Sequence, residues 1–197
     1  MASNPARRIV LASTSKYRKS LLQRFGLAFE TARPETDETA LAGESPTATA
    51  ERLALGKAQA VRGDFPDALI IGSDQVAHMG DEVFGKPGTV EAATAQLTRM
   101  SGRTVIFDTA LCLLDAASGE HCVETVPTEV RFRDLAADEI RRYVDLERPL
   151  DCAGSAKSEA LGITLLEALS GDDPNALVGL PLIALARMLR AKGIRLP

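Results

Sequence analysis

The sequence predicts a mixed α/β fold built as one domain over residues 1–197. Short apolar runs of strand length alternate with segments of helical periodicity, and Ser, Thr, Pro and Gly mark the boundaries between them. The alternating stretch at residues 104–134 turns at Ser118 and Gly119, which is typical of an antiparallel hairpin. Helices between strands favour parallel pairing and a hairpin requires antiparallel pairing, so we expect a mixed sheet.

The first elements form a strand, a helix and a second strand. Residues 8–12 are apolar and predict a strand. The next segment has an apolar helical face, with Ser13 or Ser15 as its cap and Gly26 as its stop. Residues 27–34 predict a second, short strand that leads into an acidic loop.

A second helix and a third strand follow this loop. The pair Ser45-Pro46 opens a helix that continues to about Arg62. Residues 68–78 are the most apolar strand candidate, so we place this strand in the middle of the sheet. Its apolar part gives way to Gly-Ser-Asp-Gln, which predicts that Asp74 lies where the strand meets a loop.

The second half of the chain supplies the rest of the sheet and its covering helices. A helix capped by Thr89 ends at Gly102, and the hairpin follows it. The remaining predicted elements are a helix at 136–147, a strand within 162–175 and a closing helix at 179–193.

Composition argues against several classes of partner. The formal charge is −4, there is no tryptophan, and only 4% of residues are aromatic, which disfavours a nucleic acid polymer or an anionic membrane. No signal-peptide pattern and no apolar stretch long enough to span a bilayer is recognised, so we expect a cytoplasmic protein. The three cysteines lack the spacing of a disulfide framework or a zinc site.

Three polar groups could carry chemistry. Lys16, Arg18 and Lys19 lie in the first turn of a predicted helix, where free backbone N–H groups and cations favour an anion. The alternative is an ordinary capped helix with solvated lysines. In the "GKP" turn Lys86 could neutralise a phosphate, and Asp74 could hold a metal or take a proton from water. The alternative is a strand-ending acid and a surface lysine.

The acidic loop is the third group. It carries Glu35, Asp37 and Glu38 just after a strand, and clustered carboxylates suit Mg²⁺ or Mn²⁺. The alternative is a solvated acidic turn.

Several segments in order resemble one known family. They are "LASTSKYRKSLL", "RPETDE", "RLALGKA", "LIIGSDQV", "GKP", "LTRMSG" and "ERPLDCAGSAKSEALGITLLEALSGDDPNALVGLPLIAL". Each is weak alone, but the ordered set, from about residue 8 to 192, resembles the Maf family of nucleoside triphosphate pyrophosphatases.

The resemblance implies a fold, a reaction and a set of residues. The fold is an elongated two-lobed α/β structure around a deep groove, similar to inosine triphosphate pyrophosphatase. The reaction is hydrolysis of a nucleoside triphosphate to the monophosphate and pyrophosphate with a divalent cation, Mg²⁺ or Mn²⁺. A homodimer is compatible with the resemblance. The resemblance marks Asp74 as the proton acceptor and places Ser13, Arg18, Glu35, Lys57 and Lys86 in the groove. From this we expect Glu35 and Asp74 to be the metal ligands, and Ser13, Arg18, Lys57 and Lys86 to bind the substrate.

Within the family, the "SDQV" and "CAGSxKSE" segments are similar to the 7-methyl-GTP pyrophosphatase subgroup. Tyr17, Gln75 and Glu159 fall at its substrate-selecting positions, whereas Ala156 stands where related sequences often have an aromatic ring. The dTTP/UTP pyrophosphatases tend to carry Asp-Thr and a Gln at the places of Asp74-Gln75 and Glu159. Two alternatives stay open: another nucleotide substrate such as UTP or dTTP, or a non-catalytic nucleotide-binding regulator of septum formation.

Overall fold

The computed structural model describes residues 7–197 and confirms the mixed α/β fold. The strands are Ile9–Ala12 (β1), Glu30–Ala32 (β2), Leu69–Met79 (β3), Glu82–Phe84 (β4), Thr104–Asp115 (β5), His121–Phe132 (β6) and Leu166–Gly171 (β7). The helices are Lys16–Gln23 (α1), Pro46–Ala60 (α2), Val90–Met100 (α3), Ala137–Glu147 (α4) and Leu182–Ala191 (α5).

All of these strands belong to one mixed sheet. Its order is β2-β1-β3-β5-β6-β7, and β4 also pairs with β3. β1 runs parallel to β2 and β3, whereas β3, β4, β5, β6 and β7 pair antiparallel. The predicted hairpin is therefore the β5–β6 pair, and the predicted central strand is β3.

The pairing of β3 leaves an opening at one edge. On one side β5 pairs with β3 from residue 69 to 78. On the other side β1 pairs with residues 69–71 and β4 with residues 77–79. Within the described chain, residues 72–76 thus have a strand on one side only, and Asp74 lies in this opening.

The prediction that β3 meets a loop at Asp74 is wrong. β3 continues to Met79 because β5 pairs with it throughout and β4 supports its far end. The Gly-Ser-Asp-Gln sequence marks a change of neighbour on one edge of the strand, not its end. Asp74 still reaches a cleft because neither β1 nor β4 covers that edge.

Helices cover both faces of the sheet. α2 packs on one face through alanines that meet β1, β3 and β5, and α1 and α5 cover part of the other face. α3 and α4 cover the remainder of that second face, beside the far ends of β3 and β5. The cleft described below is lined by the start of α1 and by Thr49, Leu53 and Lys57 of α2.

Local signals located the helices well. Ser45 and Thr89 cap α2 and α3 as predicted, each accepting a backbone N–H three residues on. Of the two serines considered for α1, Ser15 is the cap, and Ser13 accepts from the backbone of Ser15. None of the helices within residues 7–197 is both long and apolar enough to cross a membrane.

Candidate active site

A cleft of about 1010 Å³ crosses the molecule at the opening in β3. The loop after β1, the start of α1, the turn after β4 and segments 151–159 and 177–179 form its walls. Most of the residues that the sequence predicted for a site line it. They are Ser13, Tyr17, Arg18, Lys57, Asp74, Gln75, Lys86 and Glu159.

Asp74 and Lys57 form a buried ion pair on the floor of the cleft. The Lys57 Nζ atom donates to Asp74 Oδ1 at 2.5 Å, and the two residues are 5% and 9% exposed. Lys57 comes from the last turn of α2, which lies directly over β3 at Gly72. A Cβ atom at Gly72 would lie 2.1 Å from the carbonyl oxygen of Ala54. This close approach of helix and strand brings the lysine to the carboxylate.

The acidic loop contributes Glu38 to the cleft and not Glu35. Glu38 Oε1 lies 2.6 Å from Lys57 Nζ, and its other oxygen lies 3.8 Å from Lys86 Nζ. Partial burial raises the pKa of Glu38, but the hydrogen bond from Lys57 and the nearby cations outweigh it, so the pKa lies below its ordinary value. Glu35 is exposed and does not line the cleft, whereas Glu38, three residues later in the same loop, does.

Arg18 is held in the cleft by the segment before α5. Its Nε atom donates to the carbonyl oxygen of Gly179 at 2.8 Å, and Ser73 Oγ donates to the same oxygen at 2.9 Å. Gly179 has φ +105°, a conformation that favours glycine. Burial lowers the pKa of Arg18, while the charges of Asp74 and Glu38 act to raise it, and a guanidinium in such a site keeps its charge.

The specificity candidate Gln75 is tied to the same segment. Its Nε2 atom lies 2.8 Å from Thr109 Oγ1 and 3.1 Å from the carbonyl oxygens of Ala176 and Leu177. The preceding turn is fixed by Asp173, whose carboxylate accepts from the backbone N–H groups of Asn175 and Ile183. Gln75 therefore positions the wall that also orients Arg18.

The far end of the cleft contains the other two specificity candidates. The Tyr17 hydroxyl lies 3.5 Å from Asp151 Oδ2, and Glu159 lines the same end. Lys157, which is 8% exposed, has its Nζ atom 3.5 Å from Asp151 Oδ1 and 3.6 Å from Glu147 Oε1. The small Ala156 also lines this wall.

Comparison with known proteins identifies the family. The profile described as "Maf-like protein" matches residues 8–192. The chain belongs to the Maf family. It is 67% identical over 190 residues to the 7-methyl-GTP pyrophosphatase of Aromatoleum aromaticum, covering 96% of this chain and 98% of that protein.

Other similar proteins carry the same name. The chain is 55% identical to the 7-methyl-GTP pyrophosphatase of Cupriavidus pinatubonensis over 98% of this chain and 97% of the relative. It is also 55% identical to that of Xanthomonas axonopodis pv. citri, over 96% and 99% of the two chains. The region that matches the Maf family, residues 8–192, therefore includes every residue that lines the cleft.

The carboxylate oxygens in this Maf cleft fit a hard divalent cation that takes its remaining oxygen ligands from a bound substrate and water. Glu38 and Asp74 present carboxylate oxygens to the same lysine. Mg²⁺ is usually held by one or two carboxylates together with substrate phosphates and water. Within residues 7–197, no group of three or more His, Cys, Asp or Glu side chains converges as a complete cage, so a two-carboxylate site is the arrangement to consider.

Several cleft residues could not be identified from local sequence patterns. Asp151, Lys157 and Gly179 lie in the long segment quoted for the family resemblance, but no local pattern singles them out as cleft residues, and they meet the cleft only through the fold. Cys152 also lines the cleft. Burial raises the pKa of its thiol to about 12, so it stays protonated and is a poor nucleophile near neutral pH.

Proposed function

We propose that this Maf protein is a 7-methyl-GTP pyrophosphatase that hydrolyses 7-methyl-GTP to 7-methyl-GMP and pyrophosphate. Relatives named for that activity match nearly the whole chain at 55–67% identity. The single observation that carries the proposal is a buried carboxylate, Asp74, on the floor of a cleft that also presents Arg18, Lys57 and Lys86. A carboxylate surrounded by cations suits hydrolysis of a phosphate anhydride.

The three cations bind and orient the triphosphate. Arg18 reaches into the cleft with its Nε atom fixed on Gly179, which leaves the terminal nitrogens of the guanidinium to bind phosphate oxygens. Lys57 and Lys86 face each other across Glu38 and offset the charge of the departing pyrophosphate. Ser13, buried beside the start of α1, adds a hydroxyl and neighbouring backbone N–H groups.

Asp74 accepts a proton from the water that attacks the α-phosphorus. The oxygen–phosphorus bond to water forms while the bridging oxygen leaves with the pyrophosphate, and the proton moves to Asp74. In place of Glu35 we propose Glu38, with Asp74, as the pair that would hold Mg²⁺ or Mn²⁺. That ion supplies charge neutralisation on the triphosphate when it is bound.

The other end of the cleft recognises the base. A 7-methylated guanine carries positive charge, which favours the face of the Tyr17 ring and a nearby carboxylate. Glu159 accepts the N1–H and the exocyclic amine of guanine, a pairing that uracil and thymine cannot reproduce. Gln75 acts by fixing the wall at residues 176–177.

One assay tests the proposal against its alternatives. The purified protein is incubated with Mg²⁺ or Mn²⁺ and a panel containing 7-methyl-GTP, GTP, UTP and dTTP, and pyrophosphate release is measured. We expect the highest kcat/KM for 7-methyl-GTP. A higher value for UTP or dTTP would assign another substrate, and tight binding without pyrophosphate release would indicate a regulator.

A further inference from the structure

Lys57 occupies the position between the two carboxylates proposed to hold the cation. Its Nζ atom lies 2.5 Å from Asp74 Oδ1 and 2.6 Å from Glu38 Oε1. These are the shortest ion-pair distances that an ammonium makes among the described residues. The lysine is also buried, at 5% exposed, so water screens its contact with the buried Asp74 weakly, whereas its contact with the half-exposed Glu38 is screened more.

This arrangement makes the ammonium and a divalent cation competitors. Both need the same oxygens, and a carboxylate oxygen that accepts a short charge-assisted hydrogen bond is poorly available as a ligand. A cation entering while Lys57 remains would also meet a positive charge at close range, which is unfavourable in a partly buried site. In this geometry Lys57 supplies the positive charge that a divalent cation would otherwise bring to the two carboxylates.

The substrate can relieve this competition. Lys57 has a flexible four-carbon stem and stands in the last turn of α2 at the cleft wall. A triphosphate brings oxygens that can accept from its ammonium and so release the two carboxylates. The phosphates also bring the additional oxygen ligands that a two-carboxylate site lacks.

We propose that Lys57 keeps Asp74 and Glu38 closed to free divalent cation, so that the metal enters with the nucleotide and not before it. This inference rests on the proposed function and adds an order of assembly to it. It makes Lys57 both a phosphate ligand in the complex and a block on the site of the free protein.

Mn²⁺ binding to the nucleotide-free protein, followed by electron paramagnetic resonance, tests the inference directly. We expect Lys57→Met to bind Mn²⁺ at least about tenfold more tightly than the wild type, because a close positive charge has been removed. Adding Asp74→Asn to that variant should abolish the gain. Lys16→Met is the matched control: Lys16 lines the same cleft, its Nζ atom lies over the Tyr17 ring at 4.9 Å, and its loss removes one charge as well.

Thermal unfolding of the same proteins gives a second readout that does not depend on activity. Lys57→Met leaves two carboxylates facing each other, so its melting temperature should fall and Mn²⁺ alone should restore much of it. The wild type should gain little from Mn²⁺ alone and more from Mn²⁺ with a non-hydrolysable nucleotide. The wild-type measurement stands even if the variant does not fold.

The inference is overturned if folded Lys57→Met binds Mn²⁺ no more tightly than the wild type. It is also overturned if Lys16→Met gains as much, since net charge would then explain the effect, or if Mn²⁺ alone stabilises the wild type as much as the combination does. Failure of the proposed function is separate: it would appear as an absence of pyrophosphate release from the wild type.

Discussion

Asp74 is the residue on which the proposed hydrolysis depends most directly. Asp74→Asn keeps the size of the side chain but removes the proton acceptor, so we expect kcat for 7-methyl-GTP to fall by roughly 10²- to 10⁴-fold. Pyrophosphate release under saturating substrate measures this. A variant with near-normal turnover would remove Asp74 from the role of base, provided that its circular dichroism spectrum matches that of the wild type.

Glu38 and Glu35 form a matched pair of acids three residues apart in one loop. Glu38→Gln should lower kcat/KM by roughly 10- to 100-fold, because it weakens the carboxylate pair that contacts Lys57. Glu35→Gln should leave kcat/KM close to the wild-type value, since Glu35 is exposed and does not line the cleft. Steady-state kinetics of both variants decides, and the reverse ranking would restore Glu35 as the functional acid.

The acidic loop shows where prediction from the sequence stops at the residue scale. The carboxylates of Glu35, Asp37 and Glu38 are chemically alike, and nothing in their local pattern says which points inward. Asp37 accepts from the backbone of Thr39, whereas Glu38 meets Lys57, which comes from another element. The choice is made by long-range packing, so a resemblance could indicate the loop but the fold was needed to identify the residue.

Glu159 carries the proposed discrimination between bases. Glu159→Gln replaces one acceptor oxygen by a donor, so the ratio of kcat/KM for 7-methyl-GTP to that for UTP should fall roughly tenfold, the effect of losing one hydrogen bond to a charged group. Assaying both substrates with the wild type and the variant measures the ratio. An unchanged ratio would show that base selection lies elsewhere in the cleft.

At the scale of elements, the packing of α2 on β3 sets the position of Lys57. Gly72→Ala would place a Cβ atom 2.1 Å from the Ala54 carbonyl oxygen and 3.0 Å from the Ala58 nitrogen. The helix must then move away from the strand. We expect a loss of about 1–3 kcal/mol in the free energy of unfolding, measured by urea denaturation, together with reduced turnover as Lys57 shifts.

Gly56→Ala is the control for that experiment because it lies on the same helix. Its Cβ atom would meet only Thr36 Cγ2, at 3.9 Å. Alanine favours the helix, so this variant should be more stable by about 0.4–1 kcal/mol and should keep its activity. Equal effects of the two substitutions would show that close packing at Gly72 is unimportant.

The elements were predictable where their signals are local. The caps at Ser45 and Thr89 and the turn at residues 118–119 lie in a few consecutive residues, and the structure confirms them. The three-residue strand β4 was not predicted, although it forms a tight hairpin with the end of β3. The predicted strand at 68–78 is confirmed as Leu69–Met79, but the prediction that Asp74 lies at its end was wrong, because pairing with the distant β5 carries the strand past this residue. Asp74 was therefore identified as a candidate from the sequence, and the topology corrected its place within the strand.

At the scale of the whole molecule, positively charged side chains gather in the cleft although the net charge of the chain is negative. The formal charge is −4, yet Arg18, Lys57 and Lys86 converge on one cleft. A local positive field can attract a polyanion to an acidic protein. Composition argues against a nucleic acid polymer as a partner but could not reveal this cluster, because its members lie on α1, α2 and the turn after β4 and meet only in the fold.

One ion pair connects the first described residues to the turn between β5 and β6. Arg7 donates from both terminal nitrogens to Asp115 at 2.7 and 2.8 Å, and the same carboxylate accepts from Ala117 N. The hydrogen bonds from Arg7 lower the pKa of Asp115 from 3.8 to about 2. The unfolded chain then binds a proton more readily than the folded one, so the stability from this group is present above about pH 4 and is lost as the pH falls towards 2.

Asp115→Asn should remove that pH-dependent contribution. At pH 7 we expect the free energy of unfolding to be lower than that of the wild type by about 1–2 kcal/mol, because charged hydrogen bonds are replaced by neutral ones. The difference should shrink between pH 4 and pH 2, since the wild-type carboxyl becomes protonated there. Urea denaturation at several pH values measures it, with Asp64→Asn as an exposed control. A constant difference across the range would show that the ionised form of Asp115 does not hold these two parts of the fold together.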